Sequence, residues 1–465
     1  MLHPGQPAFV IAASERELAR AGALLNCVAQ HFSTSARYLI ALGDVPGGMA
    51  TADARVIALP LDATFSRLAR GLGLQLALNE GNEIVVGLDV AEAHDFEKIV
   101  EAVRAVERRR CHVCFFSSGG RRTDDIVIHA STAFVAGVWG QLNDELEAVR
   151  HDVVARLLQG LSRRCGEVFD GQVRLARGNG SALGPAQARE LARRCDFLLD
   201  GGSHRKVAEP VRTVAVITPY YKEPLRVLER CHDSVLRQTY PAHHFMIADG
   251  EPNEALDAWN ISHIVLDRSH RDNGNTPRGI GGQVAFAHGY DAVTYLDADN
   301  WFDADHIESV LRTQRMSRAP TVCALRRIHL PDGTVVPGLD EEDRARTHVD
   351  TSAFLFARER AFMAGVWSMM PAEWGPVCDR IAYTRAILTP DIAWTGRQTV
   401  NFESNYSPHY KMAGVAVPAR TNDISDELRR GLTQKNSTFR RTAVARFGRV
   451  IPGFTWKEFK PIRPR

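Results

Sequence analysis

Two aspartates one residue apart, Asp297 and Asp299 in "YDAVTYLDADNWF", end an apolar run abruptly. In extended chain, residues i and i+2 point the same way, so both carboxylates can face one hard cation such as Mg²⁺ or Mn²⁺, directly or through a water. The same pair is also an ordinary solubilising strand end, and the motif alone does not separate the two. Other acids end apolar runs nearby: Asp249 follows "HHFMIA" and Asp267 follows "SHIVL". In an open parallel sheet, the carboxyl ends of strands are where ligands gather.

The elements that must position these residues alternate in type. "TVAVITPYY" is a β-branched strand run, "PLRVLERCHDSVLRQ" repeats Leu and Val at helical spacing, and "RGIGGQVAFAHG" reads as a helix leading into "AVTYLDAD". Such alternation predicts α/β architecture, a mostly parallel sheet with helices on both faces. A Gly-, Ser- and Pro-containing break, "DGGSHRKVAEPVRT" near residues 200–212, separates this region from a fainter version of the same order. There "AFVIAASERELARAGALLNCVAQHF" parallels "AVITPYYKEPLRVLERCHDSVLRQTY", and "EIVVGLDVAEAHDF" parallels "DAVTYLDADNWFDA". "FVAGVW" at 134–139 matches "FMAGVW" at 362–367 in five of six positions. We read a duplication, two tandem Rossmann-like domains, although a shared α/β layout without common ancestry gives a similar pattern. Asp89 then stands where Asp297 does and Ala91 replaces Asp299, so the first copy keeps the fold and loses the carboxylate pair. The expected domains are 1–205, non-catalytic, 212–425, catalytic, and a basic C-terminal extension, 426–465.

Length and composition agree with two soluble domains: 465 residues with 45% hydrophobic content bury sizeable cores. Lys plus Arg number 57 against 55 Asp plus Glu, so no global field argues for nucleic acid. From Arg429 to Arg465 basic residues dominate, which suits either a solvated arm or contact with anionic lipid or a phosphorylated acceptor. The eight cysteines, "CHVC" included, lack the paired spacing of a zinc site and read as reduced core thiols. No stretch is long and apolar enough to span a bilayer, and the N-terminus lacks a signal-peptide pattern. The expected location is the cytoplasm, with the basic end as the route to the inner face of the membrane. A homodimer stays open.

"VITPYYKE", "SVLRQTYP", "IADGEPNE", "DNGNTPRGIGG" and "YLDADNWF" follow one another in that order. Together they resemble the GT-A type of nucleotide-sugar glycosyltransferase, in particular the large family 2 group, over roughly residues 212–415. The resemblance implies metal-dependent transfer of a sugar from a nucleotide sugar, a UDP-sugar by preference, to a hydroxyl of a carbohydrate or glycoconjugate acceptor. Bacterial-type polysaccharide or glycoconjugate synthesis is the setting it suggests, with Mn²⁺ or Mg²⁺ as cofactor. Carried over residue by residue, Thr218 and Tyr220 hold base and ribose, Asp249 accepts from the base imide, and Arg278 serves base and diphosphate. Asp297 and Asp299 hold the metal; His409 supplies a third ligand or a phosphate contact, a role open to His348 as well.

An inverting transfer, expected over a retaining one, also needs a base for the acceptor hydroxyl. Asp379 in "EWGPVCDRIAYTRAI" best fits the family position, with Glu373 and Asp350 as rivals, because the family's usual Glu-Asp pair is absent. Each residue has a plain alternative: a packed tyrosine, a surface arginine, a core histidine. Trp301, Trp367 and Trp374 suit either a sugar platform or the core. Readings of other classes are a nucleotidyltransferase, for which "VITPYYKEP" lacks the glycine-rich phosphate loop, and a non-catalytic scaffold binding sugar or nucleotide.

Overall fold

A computed structural model describes most of residues 7–129, the segments 167–170 and 173–176, and residues 210–430 apart from a few positions. "FVAGVW", Ala91, the interdomain break up to residue 209 and the basic tail from residue 431 lie outside the described residues. The chain divides into two compact units near residues 202 and 203, each built on its own sheet.

The first unit runs β1 (Ala8–Ser14), α1 (Leu18–His31), β2 (Arg37–Leu42), β3 (Arg55–Leu59), β4 (Ile84–Asp89), α2 (Phe96–Glu107), β5 (Val113–Ser118), β6 (Arg121–His129), β7 (Glu167–Asp170) and β8 (Val173–Ala176). Its strand order is β3-β2-β1-β4-β6-β5-β8-β7, with β1 parallel to β2 and β4, β2 parallel to β3, and β4 antiparallel to β6. All seven residues of "AFVIAAS" are buried, as a central strand covered on both faces requires. On one face Phe9 and Ile11 pack with Leu18, Leu25 and Val28 of α1 and with Ile99 and Val103 of α2. After β1 the turn is closed by a capping box: the Ser14 backbone N and Oγ donate to Glu17 Oε2 at 2.9 and 2.5 Å.

The second unit runs β9 (Val214–Tyr220), α3 (Leu225–Leu236), β10 (His243–Ala248), β11 (Ser262–Val265), α4 (Asn275–Ala287), β12 (Ala292–Tyr295), β13 (Trp301–Phe302), α5 (His306–Ser317), β14 (Thr321–His329), α6 (Glu341–Ala345), β15 (Phe354–Ala357), α7 (Phe362–Ser368), α8 (Cys378–Ile387), β16 (Ile392–Glu403) and α9 (Ser407–Ala413). Its order is β11-β10-β9-β12-β15-β14-β16-β13. The first six strands repeat both the order and the relative directions of the first unit's. The sheets part company afterwards: β5 pairs antiparallel with β8, whereas β14 pairs parallel with β16.

α4 sets the floor of the site. It starts after Gly274, whose φ of +80° is a left-handed conformation that glycine adopts without strain. Twelve of its residues, Asn275 to Phe286, are buried. Gly279 lets it lie directly on α7, since a Cβ there would fall 1.7 Å from Ser368 Oγ. Cys231, Cys323 and Cys378 are buried free thiols. Among the described residues no helix is long and apolar enough to cross a membrane.

Candidate active site

A cleft of about 1110 Å³ opens at the carboxyl ends of β9, β10 and β12. The N-terminal turn of α4, residues around α6, the first turn of α8, the end of β16 and α9 complete its walls. Of the residues singled out from the sequence, Tyr220, Asp249, Arg278, Asp297, Asp299, His348, Asp350, Asp379 and His409 line it.

The loop carrying both aspartates turns tightly, Asn300 N donating to Asp297 O at 2.9 Å. Asn300 is wholly buried and acts as a strut. Its Nδ2 donates to Ser352 Oγ (3.1 Å), its Oδ1 accepts from Glu403 N (3.1 Å), and Ser352 Oγ also accepts from Asp297 N (3.1 Å). Two distant segments, those of Ser352 and Glu403, thus fix the loop. Asp297 Oδ1 accepts from Arg278 Nη2 at 2.5 Å, while Arg278 Nη1 donates to Asn273 O at 2.6 Å and the guanidinium lies 5.5 Å from the centre of the Trp367 ring. Arg278 is therefore a buried cation in the floor, beside the helix N-terminus where anionic ligands are favoured.

Asp299 opens into the cleft yet is surrounded by protein. That desolvation, then the negative charges of Asp297, Glu403 and Asp350, pushes its carboxyl up to about 7. Ten carboxylates line the cleft against five arginines. Such a surplus suits a cation that would relieve the crowding. Among the described residues no three His, Cys, Asp or Glu side chains form a ready metal-binding group. Asp297 and Asp299 fit the commoner Mg²⁺ pattern, one or two carboxylates with the rest supplied by phosphate and water.

At the β9–β10 end, Tyr220 accepts from Asn253 N (2.9 Å), shares a hydrogen bond with His263 Nε2 (2.8 Å) and lies almost parallel to that ring. Asp249 accepts from Ser269 Oγ (3.1 Å) and His270 N (2.9 Å), and its Oδ1 meets His270 Nδ1 at 2.6 Å. Thr218 does not reach the cleft. Still within β9 and paired with Met246, it is fully buried, its hydroxyl 2.8 Å from His244 Nε2.

At the opposite end Asp379, in the first turn of α8, meets His348 Nε2 through Oδ2 and accepts from Arg380 N through Oδ1, both at 2.6 Å. Burial alone would raise this carboxyl; His348 and Arg380 outweigh it and hold the group well below the usual range. Asp350 is also buried, and that burial, with the charges of Asp297 and Asp379, pushes it up to about 6 against the pull of Arg326. Glu373 is exposed and is not part of the lining. His409 is buried with Nδ1 2.5 Å from Ser404 Oγ.

Trp367 and Trp374 are core, and Trp301 is covered by the Arg230 guanidinium 4.3 Å from its ring centre. Sequence reasoning passed over Glu403, Arg326, Glu342 and Arg380. Glu403 ends β16 as the aspartates end earlier strands, a signal that could have found it; Arg326, within β14, carries none.

The second unit is a domain of mostly parallel α/β architecture with a polar cleft at the carboxyl ends of its strands. More particularly, residues 215–370 match the family model "Glycosyl transferase family 2", so the C-terminal half holds a family 2-like domain. A search among curated proteins gives no match. Among solved structures, the crystal structure of S. aureus TarS 1-349 in complex with UDP aligns at 13% identity and a TM-score of 0.34, covering 43% of this chain and 63% of that one. TarS 1-349 in complex with UDP-GlcNAc aligns at 12% identity and a TM-score of 0.31, covering 44% and 62%. The chain thus spans less than two thirds of the length of these neighbours.

Proposed function

We propose that the second unit transfers a sugar from a nucleotide sugar, a UDP-sugar by preference, to a hydroxyl of a carbohydrate or glycoconjugate acceptor, with inversion and with Mn²⁺ or Mg²⁺. One observation carries the reading: Tyr220, Asp249, Arg278, Asp297 and Asp299, brought from separate segments, share one cleft with the buried carboxylate Asp350 and the half-buried Asp379. Asp297 and Asp299 would hold the metal, which supplies Lewis-acid stabilisation of the departing diphosphate. Arg278, a permanent cation at the N-terminus of α4, supports the same end of the donor. His409 is retained as a further metal or phosphate contact.

Asp379 serves as base, because it stays ionised and keeps part of its surface on the cleft. A second reading has one observation in its favour: Asp350, held near 6, has the greater proton affinity, which general-base catalysis rewards. The two readings part in mutants. If Asp379 is the base, Asp379→Asn loses roughly 10²–10⁴-fold in kcat while Asp350→Asn loses far less; the reverse ranking hands the role to Asp350.

The whole reading is tested by thermal shift with UDP, GDP, ADP and TDP, each with and without Mn²⁺. Binding to the native state at a hundred times Kd stabilises it by about 2.7 kcal/mol. A UDP shift that needs Mn²⁺ is the expected result; equal, metal-independent shifts for all four would sink it.

A further inference from the structure

Beside the base stands a residue the reaction scheme leaves unused. His348 is 3% exposed, just before the segment that carries Asp350, and lines the cleft. An ionised carboxylate only accepts hydrogen bonds, so at 2.6 Å from Asp379 Oδ2 the His348 ring carries its proton on Nε2. The other nitrogen, Nδ1, is buried, makes no hydrogen bond and lies 4.0 Å from Glu342 Oε2. Glu342 is gripped in turn by Arg380, Nη1 to Oε1 at 2.9 Å and Nη2 to Oε2 at 2.7 Å. The backbone N of that same Arg380 donates to Asp379 Oδ1 at 2.6 Å. Asp379, His348, Glu342 and Arg380 thus form a closed ring of contacts drawn from α6, α8 and the chain between α6 and β15.

We propose that His348 is a positioning residue for the transfer: it fixes the Asp379 carboxylate in one orientation, with its free lone pairs towards the cleft, through a ring locked by Glu342 and Arg380. The inference rests on Asp379 being the base. In the step it serves, the acceptor oxygen bonds the anomeric carbon as its proton passes to Asp379. The bond from that carbon to the nucleoside diphosphate breaks and its electron pair leaves with the diphosphate. His348 keeps its proton and its hydrogen bond throughout, so its contribution is orientation and a stabilised carboxylate. The charged and titratable neighbours of the pair are Glu342, Arg380, Asp350, Arg326, Cys378 and Tyr406.

The test uses the full chain with Mn²⁺ and either UDP-glucose or UDP-N-acetylglucosamine, water acting as acceptor. His348→Ala should lower kcat about 10- to 100-fold, as removal of a supporting partner does elsewhere, with the donor KM within about twofold. His348→Gln, whose amide can still donate to Asp379, should recover part of the loss. The acid limb of the pH–rate profile should move upward in His348→Ala, because burial then raises Asp379 with less opposition. Wild-type kcat and profile in His348→Ala, alongside an inactive Asp379→Asn, would overturn the positioning role alone. A raised Mn²⁺ requirement in His348→Ala would make the histidine a metal ligand instead. Full activity in Asp379→Asn would remove the base itself. Independently of turnover, ¹⁵N NMR should show one imidazole held with its proton on Nε2, a signature lost in Asp379→Asn; rapid tautomer exchange in the wild type would refute the contact.

Discussion

At Asp297 the carboxylate already meets a cation, Arg278 at 2.5 Å, whereas Asp299 meets mainly desolvation and the like charges of Asp297, Glu403 and Asp350. Two residues that look equivalent in "DAD" therefore differ in what they lack. Asp299→Asn should raise the melting temperature of the metal-free protein, since it removes a carboxylate the fold disfavours, and should abolish any Mn²⁺-dependent response to UDP. A drop in melting temperature with the response kept would contradict both halves. A second residue-scale expectation concerns pH. Burial lowers His244 well below its ordinary value and lowers His306 to about 3. The unfolded chain then binds protons that the native state refuses once the pH falls below the ordinary histidine value of about 6.5. Urea midpoints should fall between pH 7.5 and pH 5.5, and His306→Asn should flatten that fall. Tyr220, Asp249, Arg278, Asp297 and Asp299 were legible because each ends an apolar run or sits in a family motif. Arg326 and Glu342 were not, because no pattern in their segments marks a side chain as facing the cleft; Glu403 carried the signal of a strand-ending acid, at the end of β16.

Elements position these residues by crossing points that no local pattern contains. The D-x-D loop is pinned where Asn300 bridges Ser352, on the approach to β15, and the backbone of Glu403, at the end of β16. Asn300→Ala should leave buried polar atoms unpaired, costing about 1–3 kcal/mol of stability in urea denaturation, and should raise the Mn²⁺ concentration needed for turnover. An unchanged metal requirement would mean that the loop holds its shape without the strut. The strands ending in Asp249 and Asp297 and the helices α3 and α4 were readable, since their apolar spacing is regular and bounded. β16 was harder. Its middle, "TGRQ", is polar and partly exposed, and its pairing with β14 shifts register around Leu325, so neither alternation nor continuous burial is visible. The spacing of "RGIGG" reads as helix, whereas only packing shows that Gly279 is needed for the close approach to Ser368.

At the scale of the whole molecule, six strands in the same order and direction in both units favour one layout used twice, an arrangement that short matches such as "AFVIAAS" to "AVITPYY" could only suggest. Within that layout the two units differ where the second has its cleft. β1 leads into the Ser14–Glu17 capping box, which occupies its own polar groups, whereas β9 leads through Pro219 and Tyr220 into an open cleft. Asp89 ends β4 much as Asp297 follows β12, but Ala91 takes the place of the second acid in sequence. We therefore expect the first unit to have no part in metal-dependent chemistry and to serve acceptor binding, assembly or the shape of the protein. Asp89→Asn should leave the Mn²⁺-dependent donor hydrolysis of the full chain within about twofold, whereas Asp297→Asn should lose it by about 10²-fold or more, the scale on which removing a charge-stabilising group acts. The comparison needs both variants folded, which far-ultraviolet circular dichroism and the melting temperature establish. Loss of hydrolysis in a folded Asp89→Asn would mean that the first unit completes the active site, and the two layouts would then have to be read as one catalytic assembly.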